Sequence, residues 1–405
     1  MSVILYQTNK KKEKNTMKRF FTIAALLFSV VLFSAENYRV LVLGDIHFER
    51  AEYHGVPGVK YRTRYSPDYA KMWINAMPSL FNAAAAKVDK DVPFIIQLGD
   101  FTQGYLALKE QRAKMLVDSF NAVKSYFPNH LLLFAKGNHD VKVHGPKMVK
   151  GKDGKETPVM IKAKNGRESV RITTGWDNPT YFQTFLPVIK QELGKAWSDP
   201  EKNPDVFLPN AGGNFAFRYK DDLYIFYDGF IKSSTSVNFL RNTLKKFPKN
   251  RYVIFITHLP LFPCTSKDPG WLLPRRRNVI DMLFQHNTIV LAAHTHRPSL
   301  MKVSNGKGRI TQLVSSSIGY AWNTGKPFDY LCKDFDSMLK MASPATLKRP
   351  RAKVPLDHMK TLKIESFESY KNAAGFVILK VGDNGVDAEF YANPSGKPVT
   401  VKKVK

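Results

Sequence analysis

The amino-acid sequence predicts an α/β fold with a mainly parallel sheet. Three observations carry that expectation: five short apolar runs recur along the chain, helical stretches separate several of them, and every run ends in Asp, Asn or His. Apolar runs this short and continuous are the pattern of strands buried on both faces. Strands that alternate with helices imply βαβ units, with polar residues gathered at the strand carboxyl ends.

The elements follow in order. Tyr38–Leu43 (YRVLVL) is apolar and β-branched and ends at Gly44-Asp45-Ile46-His47. Residues 66–87 space Met72, Ile74, Ala76, Leu80, Ala83 and Ala84 roughly as one helix would. Residues 93–98 (PFIIQL) end at Gly99-Asp100, and residues 106–126 again read as a helix through Leu108, Met115, Leu116, Phe120 and Val123. Residues 131–135 (LLLFA) end at Lys136-Gly137-Asn138-His139-Asp140. Residues 142–171 are lysine-rich and broken by Gly and Pro, with a strand-like stretch at 158–161, and read as an insertion overhanging the preceding tip. Trp176, Tyr181, Phe182 and Phe185 then return the chain to the core through a helix.

Residues 214–219 and 223–227 form a hairpin around Asp221-Asp222 that extends a second sheet. Short helices at 237–247 and 278–284 precede two further strands. Residues 252–256 (YVIFI) end at Thr257-His258, and 288–292 (TIVLA) at Ala293-His294-Thr295-His296. Residues 309–314 fit another strand. Residues 375–381 and 386–391, joined by Gly382-Asp383-Asn384-Gly385, carry a strong hairpin signal and are expected to complete the second sheet. If the strands share one parallel sheet, their tips share one rim. Asp45, His47, Asp100, Asn138, His139, His258, His294 and His296 then converge there, and five of the ten histidines in the chain fall on these tips.

Composition narrows the class. With 43% apolar and 24% charged residues in 405, the chain is globular rather than disordered, and 24 Gly and 24 Pro without a period exclude collagen. Cys264 and Cys332 alone exclude a disulfide scaffold and a cysteine zinc ribbon; they are expected to be unpaired. The net charge of +28 favours anionic partners without choosing among nucleic acid, lipid, glycan and phosphate esters. Residues 1–35 read as a secretory signal, with Lys10, Lys11, Lys12, Lys14, Lys18 and Arg19 ahead of the apolar run Phe20 to Phe33. That run is short of the about 20 residues a membrane span needs. Losing the segment removes six basic residues and Glu13 and leaves +23, so the basic excess belongs to the rest of the chain. The expected location is periplasmic or secreted, with membrane attachment only if the segment is retained.

The donor set points to metal chemistry. Two carboxylates, four imidazoles and an amide oxygen are too many for one tetrahedral zinc. They suit two divalent ions, and the mix accepts Mn or Fe as well as Zn. Two such ions can activate water, orient a phosphoryl group and neutralise charge in an in-line displacement.

In order and context, Asp45-Ile46-His47, Gly99-Asp100, Gly137-Asn138-His139-Asp140, Thr257-His258 and His294-Thr295-His296 resemble the motifs of the calcineurin-like metallophosphoesterase superfamily. The resemblance covers about two thirds of the chain, and Gly-Asn-His-Asp after an apolar strand is its most specific piece. It implies a four-layer α/β/β/α sandwich and hydrolysis of a phosphate mono- or diester by a metal-bound hydroxide at two divalent ions. Asp45, His47 and His296 would hold the first ion, Asn138, His258 and His294 the second, and Asp100 would bridge them. His139 would steady the phosphoryl oxygens or protonate the leaving oxygen, and Asp140 would orient His139. Asp228 would be a structural residue rather than a ligand. Two positions depart from the family pattern: Ala293 stands where Gly is frequent, and Gln103 where Asp or Asn is. Neither removes a ligand. His47 argues against the purple acid phosphatase branch, which lacks this histidine.

The organisation expected is a signal at 1–35, a catalytic domain at 36–325 with the insertion at 142–171, and a C-terminal segment at 326–405 whose hairpin at 375–391 adds to the domain. Residues 263–277 read first as a solvated basic loop; the alternative is that Arg275, Arg276 and Arg277 meet the anionic part of the substrate and Trp271 stacks on a base or sugar. The other histidines read as ordinary residues, with His54 and His144 the nearest to the ligands in sequence. The partner expected is a phosphorylated, anionic substrate. Nuclease or nucleotidase activity on the same fold, a non-catalytic binding scaffold, and an anionic-glycan binder stand as alternatives. No nucleic-acid motif supports the first, and the retained His139 weighs against the second.

Overall fold

The structure, a computed structural model, describes residues 37–152, 154–162, 167–209, 212–267, 269–317, 330–371, 374–392 and 399–401. The expected signal segment at 1–35 lies outside the described residues. The chain runs through β1 (Tyr38–Leu43), α1 (Pro67–Asn75), α2 (Met77–Ala85), β2 (Phe94–Gln97), α3 (Lys109–Lys124) and β3 (Leu131–Phe134). Six short strands follow: β4 (Lys142–Pro146), β5 (Met148–Lys150), β6 (Glu156–Pro158), β7 (Met160–Lys162), β8 (Glu168–Val170) and β9 (Ile172–Trp176). Next come α4 (Asn178–Gly194), β10 (Val206–Phe207), β11 (Phe215–Tyr219), β12 (Asp222–Phe226), α5 (Ser233–Lys246) and β13 (Val253–Ile256). Then come α6 (Arg276–Leu283), β14 (Thr288–Ala292), β15 (Ser299–Ser304), β16 (Arg309–Val314) and β17 (Tyr330–Cys332). The chain closes with α7 (Phe335–Lys340), α8 (Pro344–Lys348), α9 (Pro350–Met359), β18 (Lys363–Tyr370), β19 (Gly375–Gly382), β20 (Gly385–Ala392) and β21 (Val399–Val401).

The strands form two large sheets, as the sandwich implied by the resemblance has, and the ligand-bearing strands are shared between them rather than gathered in one. One has the order β21-β20-β19-β1-β2-β3, the other β10-β11-β12-β13-β14-β16-β15-β18-β17. β1, β2 and β3 run parallel in the first, and β12, β13, β14 and β16 run parallel in the second. The five ligand strands are thus divided three and two. The hairpin β19–β20 also departs from expectation. It joins the sheet of β1, antiparallel to it, and not the sheet of the β11–β12 hairpin. Periodicity within a strand says nothing about which neighbour it pairs with, so the sequence pattern could not separate these cases.

Side-chain alternation sorts the layers. In the second sheet Tyr224, Phe226, Ile254, Ile256, Leu291 and Leu313 pack with the residues of the first sheet. Their alternates Leu223, Ile225, Val253, Phe255 and Val290 pack with Val237 and Leu240 of α5 and Val279, Ile280 and Leu283 of α6. Edge-to-face contacts of Phe94 with Phe217 (5.3 Å) and Tyr224 (4.9 Å) join the sheets, a geometry aromatic pairs favour. On the first sheet, Phe134 of β3 meets Phe120 of α3 and Phe185 of α4. β3 is an edge strand, and Glu192 of α4 covers it by accepting from the Leu132 N–H (2.8 Å).

The single helix expected over 66–87 is broken into α1 and α2. Pro78 lies in the first turn of α2, where a missing N–H is tolerated, and cannot continue a preceding helix. The strand-like stretch at 158–161 divides between β6 and β7. Within the insertion, β4 pairs with β9 as a stem and β5–β6 and β7–β8 form two small hairpins beyond it. Cys264 and Cys332 are both free and buried. Among the described residues no helix is long and apolar enough to cross a membrane.

Candidate metal centre

All five ligand-bearing tips meet at one cleft because the parallel strands of both sheets end on the same side. The backbone ties the tips together. The Ile46 and His47 N–H groups both donate to the Asp100 carbonyl (3.0 and 2.9 Å). Across the sheets, the His294 N–H donates to Asp45 Oδ2 (3.2 Å) and His258 Nδ1–H donates to the Leu98 carbonyl (2.9 Å). Gly137 allows the closest approach: a Cβ there would lie 2.0 Å from the Asp100 nitrogen and 2.2 Å from Asp100 Oδ1. Gly99 takes φ +97°, in the left-handed region that favours glycine, and has no room for a Cβ beside His258.

Four of the tip residues hold left-handed backbone without being glycine: His47 (φ 51°), Asp100 (55°), His294 (67°) and His296 (56°). Such conformations cost of order 1–3 kcal/mol each and persist where surrounding structure over-determines them, typically at functional sites. Nothing in the residue types announces this strain.

The donors fall into groups whose ligand atoms lie within 4.8 Å of one another: Asp45, His47 and His296; Asp100, His258 and His294; and His47, Asp100 and His139. His47 Nε2 is 3.4 Å from His296 Nε2 and 3.9 Å from Asp100 Oδ2. His258 Nε2 is 3.3 Å from Asp100 Oδ2, 3.1 Å from His294 Nδ1 and 3.1 Å from Asn138 Oδ1. With the His258 proton spent on the Leu98 carbonyl, Nε2 presents a lone pair into this second set.

The donor chemistry fits divalent cations. Asp45 Oδ1 is buried with no hydrogen-bond partner among the described residues, an arrangement proteins rarely leave uncompensated. The Asn138 amide can be read in two orientations. Turned one way, its NH₂ donates to His294 Nδ1 (2.8 Å) and His258 Nε2 (3.1 Å) while its oxygen accepts from Lys142 Nζ (2.7 Å). Turned the other way, its oxygen joins the ring nitrogens as an acceptor, and a cation among them resolves the conflict.

Electrostatics favours neutral, electron-donating imidazoles at His47, His294 and His296, while His258 is held as a cation between the two carboxylates until a metal ion takes the proton's place. Burial, with His139 nearby, holds His47 well below its ordinary value, and burial with His258 does the same to His294. Burial brings His296 down to about 3. Burial also acts on His258, but Asp100 and Asp45 outweigh it and raise it to about 9. Burial and Asp100 push Asp45 up to about 7 against the pull of His258. Asp100, despite burial, is held well below the carboxylate range by His258 and His139.

His139 donates through Nδ1–H to the Gln103 carbonyl (2.7 Å) and lines the cleft, which leaves Nε2 for the cleft. Asp140 does not orient it. The Asp140 carboxylate turns inward and accepts from the N–H groups of Gly137 (2.8 Å), Asp100 and Thr102 (both 3.0 Å). The reason is local: residues 139–141 form a single 3-10 turn, and adjacent side chains in such a turn point in different directions. The role expected from the resemblance is therefore corrected to one of clamping three backbone donors. Gln103, the departing position, acts through its main-chain carbonyl, which any residue would supply.

Asp228 accepts from the N–H groups of Gly213 (2.9 Å) and Phe230 (2.8 Å) and pairs with the buried Lys136. It is not among the clustered donors, in agreement with expectation. His54 bonds Glu49 (2.8 Å), and His144 Nε2 lies 3.2 Å from the Arg62 carbonyl.

The cleft measures about 600 Å³. Its basic lining includes Lys142, Lys267, Arg297 and Arg351, and the Arg275–Arg277 run, for which substrate contact was the alternative to a solvated loop, is not part of it. Arg276 is instead buried and donates to the Leu261 carbonyl (2.9 Å). Among the described residues of the insertion and its stem, Lys142 and Trp176 line the cleft. Arg297 and Arg351 were beyond the sequence reading, although the His296-Arg297 adjacency was a signal for the first.

Comparison with known proteins agrees with this site. Residues 38–298 match the family described as calcineurin-like phosphoesterase. No curated protein matches the chain. Among solved structures, PhoD shares 10% identity and a TM-score of 0.49, over 92% of this chain and 72% of its own. A purple acid phosphatase from yellow lupin seeds shares 12% identity and a TM-score of 0.43, over 90% of this chain and 53% of its own. A dimetal phosphatase from Danio rerio shares 12% identity and a TM-score of 0.37, over 91% and 99%. These structural likenesses are distant, and the family match with the five ligand-bearing tips inside it is what places the protein: the chain belongs to the calcineurin-like phosphoesterase family, hydrolases that act on phosphoester bonds.

Proposed function

We propose that this chain hydrolyses a phosphate mono- or diester at a centre of two divalent cations, and does so in the periplasm or outside the cell. The observation that carries the reading is that Asp100 groups with His258 and His294 and also, through Oδ2 at 3.9 Å, with His47 of the other set, as a carboxylate shared between two neighbouring ions would. Asp45, His47 and His296 would hold one cation, and Asn138, His258 and His294 the other; Mn, Fe and Zn all accept this donor mix. When bound, the pair supplies Lewis-acid activation of water and neutralises charge on the phosphoryl group.

The chain's own groups do the rest. Lys142, Lys267, Arg297 and Arg351 draw an anionic ester into the cleft. His139, held through Nδ1–H by the Gln103 carbonyl, presents Nε2 to the cleft; there it would take up a proton from solvent and, as the imidazolium, give it to the leaving oxygen. The Gly137 and Gly99 backbone keeps Asp100 and Asn138 close enough to act on the same substrate. The extracytoplasmic location is supported by the basic and apolar segment before residue 35, and N-terminal sequencing of the mature protein tests it.

The central test is a metal and activity series on the full chain. Asp100→Ala is expected to lose both metals by elemental analysis. His139→Ala is expected to keep them and lose turnover by about 10²–10⁴-fold, the range for a general acid. Full metal occupancy in Asp100→Ala, or wild-type turnover of an ordinary alkyl phosphate by His139→Ala, refutes the assignment of that residue.

A further inference from the structure

The donors of the second cation set are framed by aromatic rings that a bare phosphoryl group would not use. The Trp271 ring lies 5.3 Å from His294, and the Phe230 ring 5.9 Å from His258. Trp176 stacks on Phe230 at 5.7 Å with the planes 20° apart. All three line the cleft, and Trp271 and Trp176 remain 37% and 55% exposed. Large rings left half open in a cleft of about 600 Å³ are apolar surface waiting to be covered.

These rings are held in place before any ligand arrives. Gly270 packs so close to the Arg351 carbonyl that a Cβ would lie 2.5 Å from it, which pins the loop carrying Trp271. The Leu273 N–H donates to the Pro260 carbonyl (2.9 Å), and Leu273 is buried just beyond. Phe230 is fixed at both ends of its peptide, by Asp228 at its N–H (2.8 Å) and by the Asn178 amide at its carbonyl (3.2 Å). The organic part of an ester whose phosphoryl group sits on the donors begins only a few bonds from His294. The Trp271 face is thus within reach of that organic part.

We infer that Trp271 makes the site selective for phosphoesters whose alcohol carries a flat ring, either a nucleoside or an aryl-substituted alcohol. This rests on phosphoester hydrolysis at the site. A flat ring covers an indole face over its whole area, whereas a puckered or absent ring does not, and stacking of a base on an aromatic side chain is sequence-tolerant and sizeable.

The test uses the metal-reconstituted full chain and two substrate pairs with matched leaving oxygens. Adenosine 5′-monophosphate is compared with ribose 5-phosphate, and benzyl phosphate with cyclohexylmethyl phosphate. The expected result is a kcat/KM preference for the flat partner of about five-fold to a hundred-fold. The preference should collapse in Trp271→Ala and survive in Trp271→Phe, which keeps a ring. Preference in both pairs assigns ring recognition in general, and preference in the adenosine pair alone assigns a nucleoside. An active enzyme without preference in either pair overturns the inference, as does a preference that survives Trp271→Ala. A metal-loaded enzyme that hydrolyses none of the four monoesters and neither of the diesters methyl adenosine 5′-phosphate and methyl ribose 5-phosphate, run beside them as a third pair, overturns the hydrolysis reading itself, and this inference with it.

Discussion

Replacing Asp140 by Ala tests whether this carboxylate clamps the backbone or serves His139. It accepts three buried N–H groups, from Gly137, Asp100 and Thr102, at 2.8–3.0 Å. A buried donor left without a partner costs about 1–3 kcal/mol, so three of them amount to roughly 3–9 kcal/mol. Water entering the space would bring the loss toward the lower end. A domain has only about 5–15 kcal/mol in total, so Asp140→Ala should fold marginally. Asp140→Asn keeps one acceptor oxygen and strands fewer donors, at about 1–3 kcal/mol. The tips would loosen together, because Asp100 holds left-handed backbone (φ 55°) and Gly137 packs on its nitrogen. Denaturant unfolding and metal content of the wild type, both Asp140 variants and His139→Ala decide the matter. The expected order of midpoints is wild type and His139→Ala together, then Asp140→Asn, then Asp140→Ala. Should Asp140→Ala unfold at the wild-type midpoint with metals bound and match His139→Ala only in lost turnover, the clamp is wrong and the carboxylate acts through His139.

Other parts of the structure yield further expectations. Gly137→Ala should abolish metal binding, since its Cβ would overlap the Asp100 nitrogen and Oδ1 at 2.0 and 2.2 Å; a variant with full metal content and native stability would contradict that packing. Asp228→Ala should cost about 3–5 kcal/mol or more, by leaving Lys136 charged and buried and the Gly213 and Phe230 N–H groups without their acceptor, and the paired change Lys136→Met with Asp228→Asn, which keeps an acceptor oxygen, should recover part of it in thermal unfolding; no recovery would show that the charge of Lys136 is not what the loss exposes. Glu192 is buried, and although burial alone would raise it, bonds from Lys195, the Leu132 N–H and Lys124 hold it below its ordinary value. A lowered carboxylate stabilises the fold above its unfolded value and ceases to do so as the pH falls through its folded one. The melting-temperature advantage of wild type over Glu192→Gln should therefore be full near neutrality and vanish on acidification below about pH 4.5; an advantage independent of pH would dispute it.

Much of the candidate site was legible because ligand chemistry and strand patterning are both local. An apolar run followed at once by Gly-Asp or Gly-Asn-His-Asp states its strand, its end and its donor within ten residues. Asp45, His47, Asp100, Asn138, His139, His258, His294 and His296 all lie on the shared cleft or in its donor groups. The partners of those donors were less legible. His139 is fixed by a carbonyl, a group present in every residue, and Asp140 looked like an imidazole partner only because it follows one in the chain. The basic wall was not legible for a similar reason: Arg297 and Arg351 reach the cleft from separate elements far apart in the chain.

Read alone, the sequence determined the strand ends, the donor types they carry and the class of chemistry those donors permit. Residue size, branching and polarity act within a few positions and set these things before the chain folds on itself. The tertiary structure decided that the five tips come from two sheets, that the β19–β20 hairpin flanks β1, that four ligand residues bear left-handed backbone, and that Trp271 and Phe230 face the donors. Each of these depends on which distant segments approach within a few ångströms. That choice is made by the packing of whole layers, and no short stretch of chain contains it.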